Sequence, residues 1–176
     1  MRILFLGDLV GRAGRDAAGA AIPALRERLG LDLVVVNGEN ASHGFGLSPD
    51  MARALFAAGA DVITLGNHAW DRKEIIPYIE TERRLIRPLN YPPGTPGQGS
   101  VVAELRDGRR ALVVQVMGRL FMEPLDDPFR GVQGVLAAHR MGAGGTVSAV
   151  VVDFHAEASS EKLALAHSFD GKVSLV

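Results

Sequence analysis

The sequence predicts an α/β protein built on a mixed β-sheet flanked by helices. Three observations carry that expectation. Short apolar runs alternate three times with helix-length segments over the first half of the chain, the pattern of strand–loop–helix repeats. A hairpin signal then interrupts the alternation around Asp107-Gly108. Apolar residues make up 47% of the 176, enough for a sizeable core, so one domain spanning 1–176 is expected.

Residues 2–6 (RILFL) form a run of the kind that becomes a buried parallel strand. Residues 7–14 read as a glycine-punctuated turn, and a helix is expected over about 15–29, with Ile22, Leu25 and Leu29 on one face. Residues 32–36 (DLVVV) are the second strand. Ser48-Pro49-Asp50 opens a helix: a capping hydroxyl, a proline whose missing N–H costs nothing in the first turn, and an acid at the positive dipole end. Gly59 closes it, and residues 62–65 (VITL) are the third strand. Residues 88–99, rich in proline and glycine, read as an ordered surface loop. Residues 100–105 and 110–116 flank Asp107-Gly108 as hairpin strands, which makes the sheet mixed. Residues 147–153 give another strand, about 159–167 a helix, and 172–176 a last strand.

The bulk numbers exclude several classes. With 19 basic and 20 acidic residues the net charge is −1, so no stable nucleic-acid complex is expected. The absence of cysteine leaves oxygen and imidazole as the donors for any metal. The first apolar run is too short for a signal segment and no stretch reaches membrane-spanning length, so a cytoplasmic protein is expected. Oligomeric state is not legible, and a homo-oligomer is compatible with the sequence.

The informative polar residues sit where strands end. The first run leads into Gly7-Asp8, the second into Asn37-Gly38-Glu39-Asn40, the third into Gly66-Asn67-His68, and a later one into Asp153-Phe154-His155. Parallel neighbours would bring these ends to one edge, where open α/β sheets place ligands. Asp8, Glu39, Asn40, Asn67, His68 and His155 would then bring two carboxylates, two carboxamides and two imidazoles to the crevice, a donor set suited to Mn²⁺, Fe²⁺ or Zn²⁺. Singly, each is ordinary: Asp8, Asn40 and Asn67 as turn residues, Glu39 as a ribose-binding acid, His155 as a surface histidine beside Asp153 and Glu157. Four such strand-end sites at one structural position make coincidence the poorer account. Arg12, Arg15 and His43 read as solvated and Trp70 as packed, while His139 and His167 fall near helix ends.

These four loops resemble the calcineurin-like metallophosphoesterase superfamily, whose pattern is an Asp motif, a Gly-Asp motif, Gly-Asn-His, a lone His and Gly-x-His-x-His. Within it the chain is similar to the small bacterial branch of YmdB-type 2′,3′-cyclic-nucleotide phosphodiesterases. The matching stretches are GDLVGRAGRD (7–16), VVNGENASHGFG (35–46), ITLGNHAWD (63–71), RPLNYPPGTPG (87–97) and VVDFHAEASSEK (151–162). The resemblance implies a β-sandwich flanked by helices and two divalent metal ions, with iron or manganese favoured and zinc the alternative. Asp8 and Asn40 would serve one ion, Asn67 and His155 the other, and Glu39 would bridge them. His68 would be catalytic, stabilising charge on the scissile phosphate or protonating the leaving oxygen. A metal-bridging hydroxide would attack a small nucleotide or other phosphodiester.

Two departures matter. Val10 stands where the superfamily carries a histidine and Glu39 where it carries an aspartate, both as in the small branch. No Gly-x-His-x-His occurs by Val176, so the chain is expected to be a fragment of a longer protein, or else degenerate. The fragment is favoured because nothing upstream looks decayed. A Rossmann-type nucleotide binder fails on spacing, since Gly11 and Gly14 do not make G-x-G-x-x-G. The other alternative is a truncated, non-catalytic chain acting through RNA or protein binding.

Overall fold

The computed structural model describes residues 1–176. Its elements in order are β1 (Ile3–Leu6), α1 (Gly11–Leu29), β2 (Leu33–Asn37), α2 (Pro49–Ala58), β3 (Val62–Thr64), α3 (Ile75–Ile79), β4 (Leu85–Ile86), β5 (Ser100–Glu104), β6 (Arg110–Met117), α4 (Pro128–Ala138), β7 (Ala149–His155) and α5 (Ser159–Ser168).

The strands form two sheets, the sandwich that the family resemblance implies, where the residue pattern alone suggested one mixed sheet. The first, ordered β1-β2-β3-β4, is parallel throughout. The second, ordered β5-β6-β7, is the mixed one: β5 and β6 are antiparallel, β6 and β7 parallel. Side chains alternate across each strand, and the alternation explains the layering. Leu33 and Val35 of β2 face inward and pack with Ala111 and Val113 of β6 and Ala149 and Val151 of β7. Val34 and Val36 face the other way, onto Ile22 of α1 and Leu55 of α2. Val114, Val150 and Val152 turn outward onto Val132 of α4 and Leu165 of α5. The result is a helix–sheet–sheet–helix sandwich whose central strands are covered on both faces, which is why they read as unbroken apolar runs.

Local signals hold at several points. Ser48 caps α2 by accepting from the Met51 N–H at 3.3 Å, and Gly59 ends it in the left-handed region at φ 110°. The hairpin turns through Gly108 at φ 82°. The loop over 88–99 is ordered by the buried Arg87 guanidinium, which donates to the carbonyls of Pro88, Thr95, Pro96 and Gly97. Other expectations need correcting. Helix α1 begins at Gly11, inside the expected turn. Residues 172–176 form no strand; Leu175 only bridges Val151 on the open edge of β7. Helices α3 and α4 and the two-residue β4 lie where no element was expected. No helix is long and apolar enough to cross a membrane.

Candidate active site

All four donor-bearing loops leave the C-terminal ends of strands. Three follow β1, β2 and β3 of the first sheet, and His155 ends β7 of the second. Backbone hydrogen bonds tie the loops down: Leu9 N–H to the Asn37 carbonyl at 3.0 Å, Gly11 N–H to Asn40 at 2.9 Å, and Gly38 N–H to Thr64 at 2.9 Å. Arg15 is half-buried and donates to the Ala41 carbonyl, so it braces the Glu39 loop rather than standing in solvent as the sequence suggested. Arg12 is exposed beside Asp16, and His43 is exposed on its loop. Trp70 packs on the core of the first sheet, edge-on to Tyr91.

At the centre lies Glu39, only 1% exposed. Its carboxylate reaches His155 Nδ1 at 2.7 Å across the gap between the sheets, and the His68 N–H points at its other oxygen at 3.4 Å. Gly66 makes room for it: a Cβ there would lie 2.2 Å from Glu39 Oε2. Asn40 donates from Nδ2 to Asp8 Oδ1 at 2.8 Å. The structure thus brings Asp8 to Asn40, and Glu39 to His155 and His68, while Asn67 stands exposed on the wall of an adjoining cleft. His155 is half-buried and ion-paired, not a surface histidine.

The electrostatics follow from burial. Desolvation works against charging His155, but the hydrogen bond and charge of Glu39 outweigh it and raise the imidazole above its ordinary value. Desolvation likewise raises the Asp153 carboxyl, partly offset by hydrogen bonds from Thr64 Oγ1 at 2.5 Å and Asn37 Nδ2 at 3.4 Å.

Two observations bear on whether a metal suits these residues. Asn40 Oδ1 is buried without a hydrogen-bond partner, and an unsatisfied buried acceptor is costly unless it serves a ligand. The buried Glu39 carboxylate needs a positive neighbour, which either a proton on His155 or a cation supplies. No three Asp, Glu or His side chains stand together closely enough to hold an ion by themselves, so a metal here would need further donors, of which the partnerless Asn40 Oδ1 is one. With that addition the donor set fits a hard or borderline divalent ion.

Several residues of the site escaped the sequence reading. His68 Nδ1 bonds Asp71 Oδ2 at 2.8 Å, which leaves Nε2 as the ring nitrogen open to a substrate. The signal was local, an acid three residues after the histidine. His68 also meets Phe45 edge-on at 5.1 Å. Both rings, with Asn67, Asp71 and Phe121, line a cleft of about 630 Å³. Phe121 follows the end of β6, whose Met117 pairs in register with His155 of β7, a long-range pairing with no sequence signal.

Comparison with known proteins agrees with the family resemblance. The chain is 44% identical over all 176 residues to the 2′,3′-cyclic-nucleotide 2′-phosphodiesterase of Bacillus subtilis, and spans 65% of that protein's length. A crystal structure of a hypothetical protein from Thermus thermophilus matches 99% of the chain and 66% of its own at 49% identity, with a TM-score of 0.90. The crystal structure of a novel phosphatase from Mycoplasma pneumoniae matches with a TM-score of 0.86 at 34% identity, covering 98% of this chain and 61% of that one. The characteristic profile of the YmdB-like proteins matches residues 4–176, and the chain belongs to that family.

Proposed function

We propose that the chain carries the catalytic residues of a metal-dependent phosphodiesterase acting on 2′,3′-cyclic nucleotides. The observation that carries this reading is the buried Glu39 carboxylate, set against His155 and under Gly66 where the two sheets meet, beside the partnerless Asn40 Oδ1. The phosphodiesterase name of the Bacillus relative supports the reaction class. Asp8 and Asn40 would hold one divalent ion, Asn67 and His155 a second, and Glu39 would lie between them. Two such ions supply Lewis-acid charge for the phosphate and lower the pKa of an attacking water.

The chain's own residues do the rest. Asp71 holds the His68 imidazole by Nδ1, so Nε2 faces the cleft and can steady charge on phosphate oxygen or give a proton to the leaving oxygen. Phe45 packs edge-on against the imidazole and limits its rotation. The Glu39 carboxylate, enclosed by Gly66 and His155, cannot swing out to solvent.

The test is ion content per chain by elemental analysis after Mn²⁺ loading and desalting, together with hydrolysis of adenosine 2′,3′-cyclic phosphate. Bound ions lost on Glu39→Gln, and hydrolysis that depends on them, are expected. Hydrolysis that survives chelation would overturn the metal-dependent reading.

A further inference from the structure

Two large apolar side chains stand in solvent beside this site, and no core accounts for them. Phe121 is 90% exposed and Phe45 58%, and both line the cleft that carries Asn67 and His68. Phe121 holds φ 62°, a left-handed conformation unusual for a bulky residue, and such outliers persist only where the surroundings enforce them. Here they do. Glu161, buried near the start of α5, accepts from the Arg119 N–H at 3.0 Å and the Leu120 N–H at 3.3 Å. Gly118 comes so near that a Cβ on it would lie 2.4 Å from Glu161 Oε2. A buried carboxylate thus pins the turn that presents Phe121. Phe45 is fixed as well: its N–H bonds the Ser42 carbonyl at 3.0 Å, and its ring meets His68 at 86°.

The remaining lining identifies the ligand. Asp71, Glu123 and Glu157 make this side of the cleft acidic, which repels phosphate and accepts N–H donors. An uncharged planar ring bearing N–H groups suits both the aromatic faces and the acids. We propose that Phe45 and Phe121 form the subsite for the nucleobase of a nucleotide, making them specificity-determining residues, with the phosphate lying past His68 toward Glu39 and Asn40. The proposal rests on the phosphodiesterase reading for the placement of the phosphate.

The experiment compares adenosine 2′,3′-cyclic phosphate with ribose 2′,3′-cyclic phosphate as substrates. In parallel, calorimetry measures Kd for adenosine 3′-monophosphate against ribose 3-phosphate. Base stacking on one aromatic ring corresponds to about 5- to 150-fold in affinity, so Phe121→Leu and Phe45→Leu should each weaken the adenosine ligand about tenfold. Each should also shrink the kcat/KM preference for the base-bearing substrate, and Phe121→Trp should restore both. Equal affinity for the base-bearing and base-free ligands, or leucine variants within twofold of the parent, overturns the subsite. Ring-dependent binding of the adenosine ligand without hydrolysis of either ester upholds the subsite and sinks the phosphodiesterase reading instead.

Discussion

Gly66→Ala is the most economical test of whether the position of Glu39 governs the reaction. A Cβ on residue 66 would lie 2.2 Å from Oε2, 2.5 Å from Cδ and 2.6 Å from Oε1 of Glu39. Non-bonded contacts involving carbon settle nearer 3.5 Å, so the carboxylate must retreat by about 1 Å or more. Gly66 does not require the left-handed region, so the methyl group acts through space alone. The carboxylate is the far end of a flexible side chain, and the stability cost should stay within the ~1–3 kcal/mol typical of overpacking. Glu39 has no solvent to move into, however, and a retreat disturbs its 2.7 Å contact with His155. A misplacement of about 1 Å at a catalytic group typically costs about 100-fold, equivalent to ~2.7 kcal/mol of barrier.

The assay is kcat for adenosine 2′,3′-cyclic phosphate with Mn²⁺, run beside urea unfolding. An NMR titration of His155 in the metal-free protein gives a readout independent of turnover. Losing the Glu39 contact leaves burial to dominate, so the imidazole pKa should fall relative to the parent. A variant with kcat within twofold of the parent and an unmoved His155 titration would refute the argument that the enclosed carboxylate sets the chemistry.

Four further outcomes are expected. Gly99→Ala presents a clash of the same size, 2.2 Å, but against the backbone Cα of Leu89, which cannot swing aside. It should cost about 3 kcal/mol of stability in urea unfolding and leave turnover per folded molecule intact; a loss under ~0.5 kcal/mol would contradict it. In the metal-free protein, the raised His155 pKa contributes stability that is fully present below about pH 6.5 and lost as pH rises through the folded-state value. Glu39→Gln should flatten that fall in unfolding free energy, and an unchanged slope would mean that the pair is not what raises His155. His68→Ala should lower kcat by about 10²- to 10⁴-fold without changing ion content. Asp71→Asn should cost less, because Phe45 still holds the ring, and loss of ions on His68→Ala would make that residue a ligand.

The loops that carry the donors were legible because the fold writes them locally. A strand buried on both faces is an unbroken apolar run, and the first polar residues after it mark the sheet edge. Helix α4 also had its signal: Asp127 caps it and Pro128 follows, as Ser48 and Pro49 do for α2. Gly131 and Gly134 inside it lowered the helical propensity that would have extended the reading. Helix α3 spans five residues and β4 two, too short for any period to show. The division into two sheets, implied by the family resemblance, was not legible in the residue pattern itself for a different reason. A hairpin signal pairs β5 with β6, but nothing local says whether that pair joins the first sheet or packs on it.

That division is what makes the site. Asp8, Glu39, Asn40 and Asn67 come from the first sheet and His155 from the second, so the 2.7 Å contact exists only if the sheets hold their relative position. An interior of valine, leucine and alanine would tolerate sliding, since a shift of one residue is about 3.3 Å and replaces one apolar contact by another. The polar seam at the C-terminal edge does not tolerate it. Asp153 of β7 accepts from Thr64 of β3 at 2.5 Å and from Asn37 of β2 at 3.4 Å. Gln115 of β6 accepts from the Leu65 N–H at 2.9 Å. Each of these bonds crosses from one sheet to the other, and breaking any of them strands a polar group out of reach of water. Burial in this arrangement pushes the Asp153 carboxyl above its ordinary value. The register it enforces is the one that places His155 on Glu39.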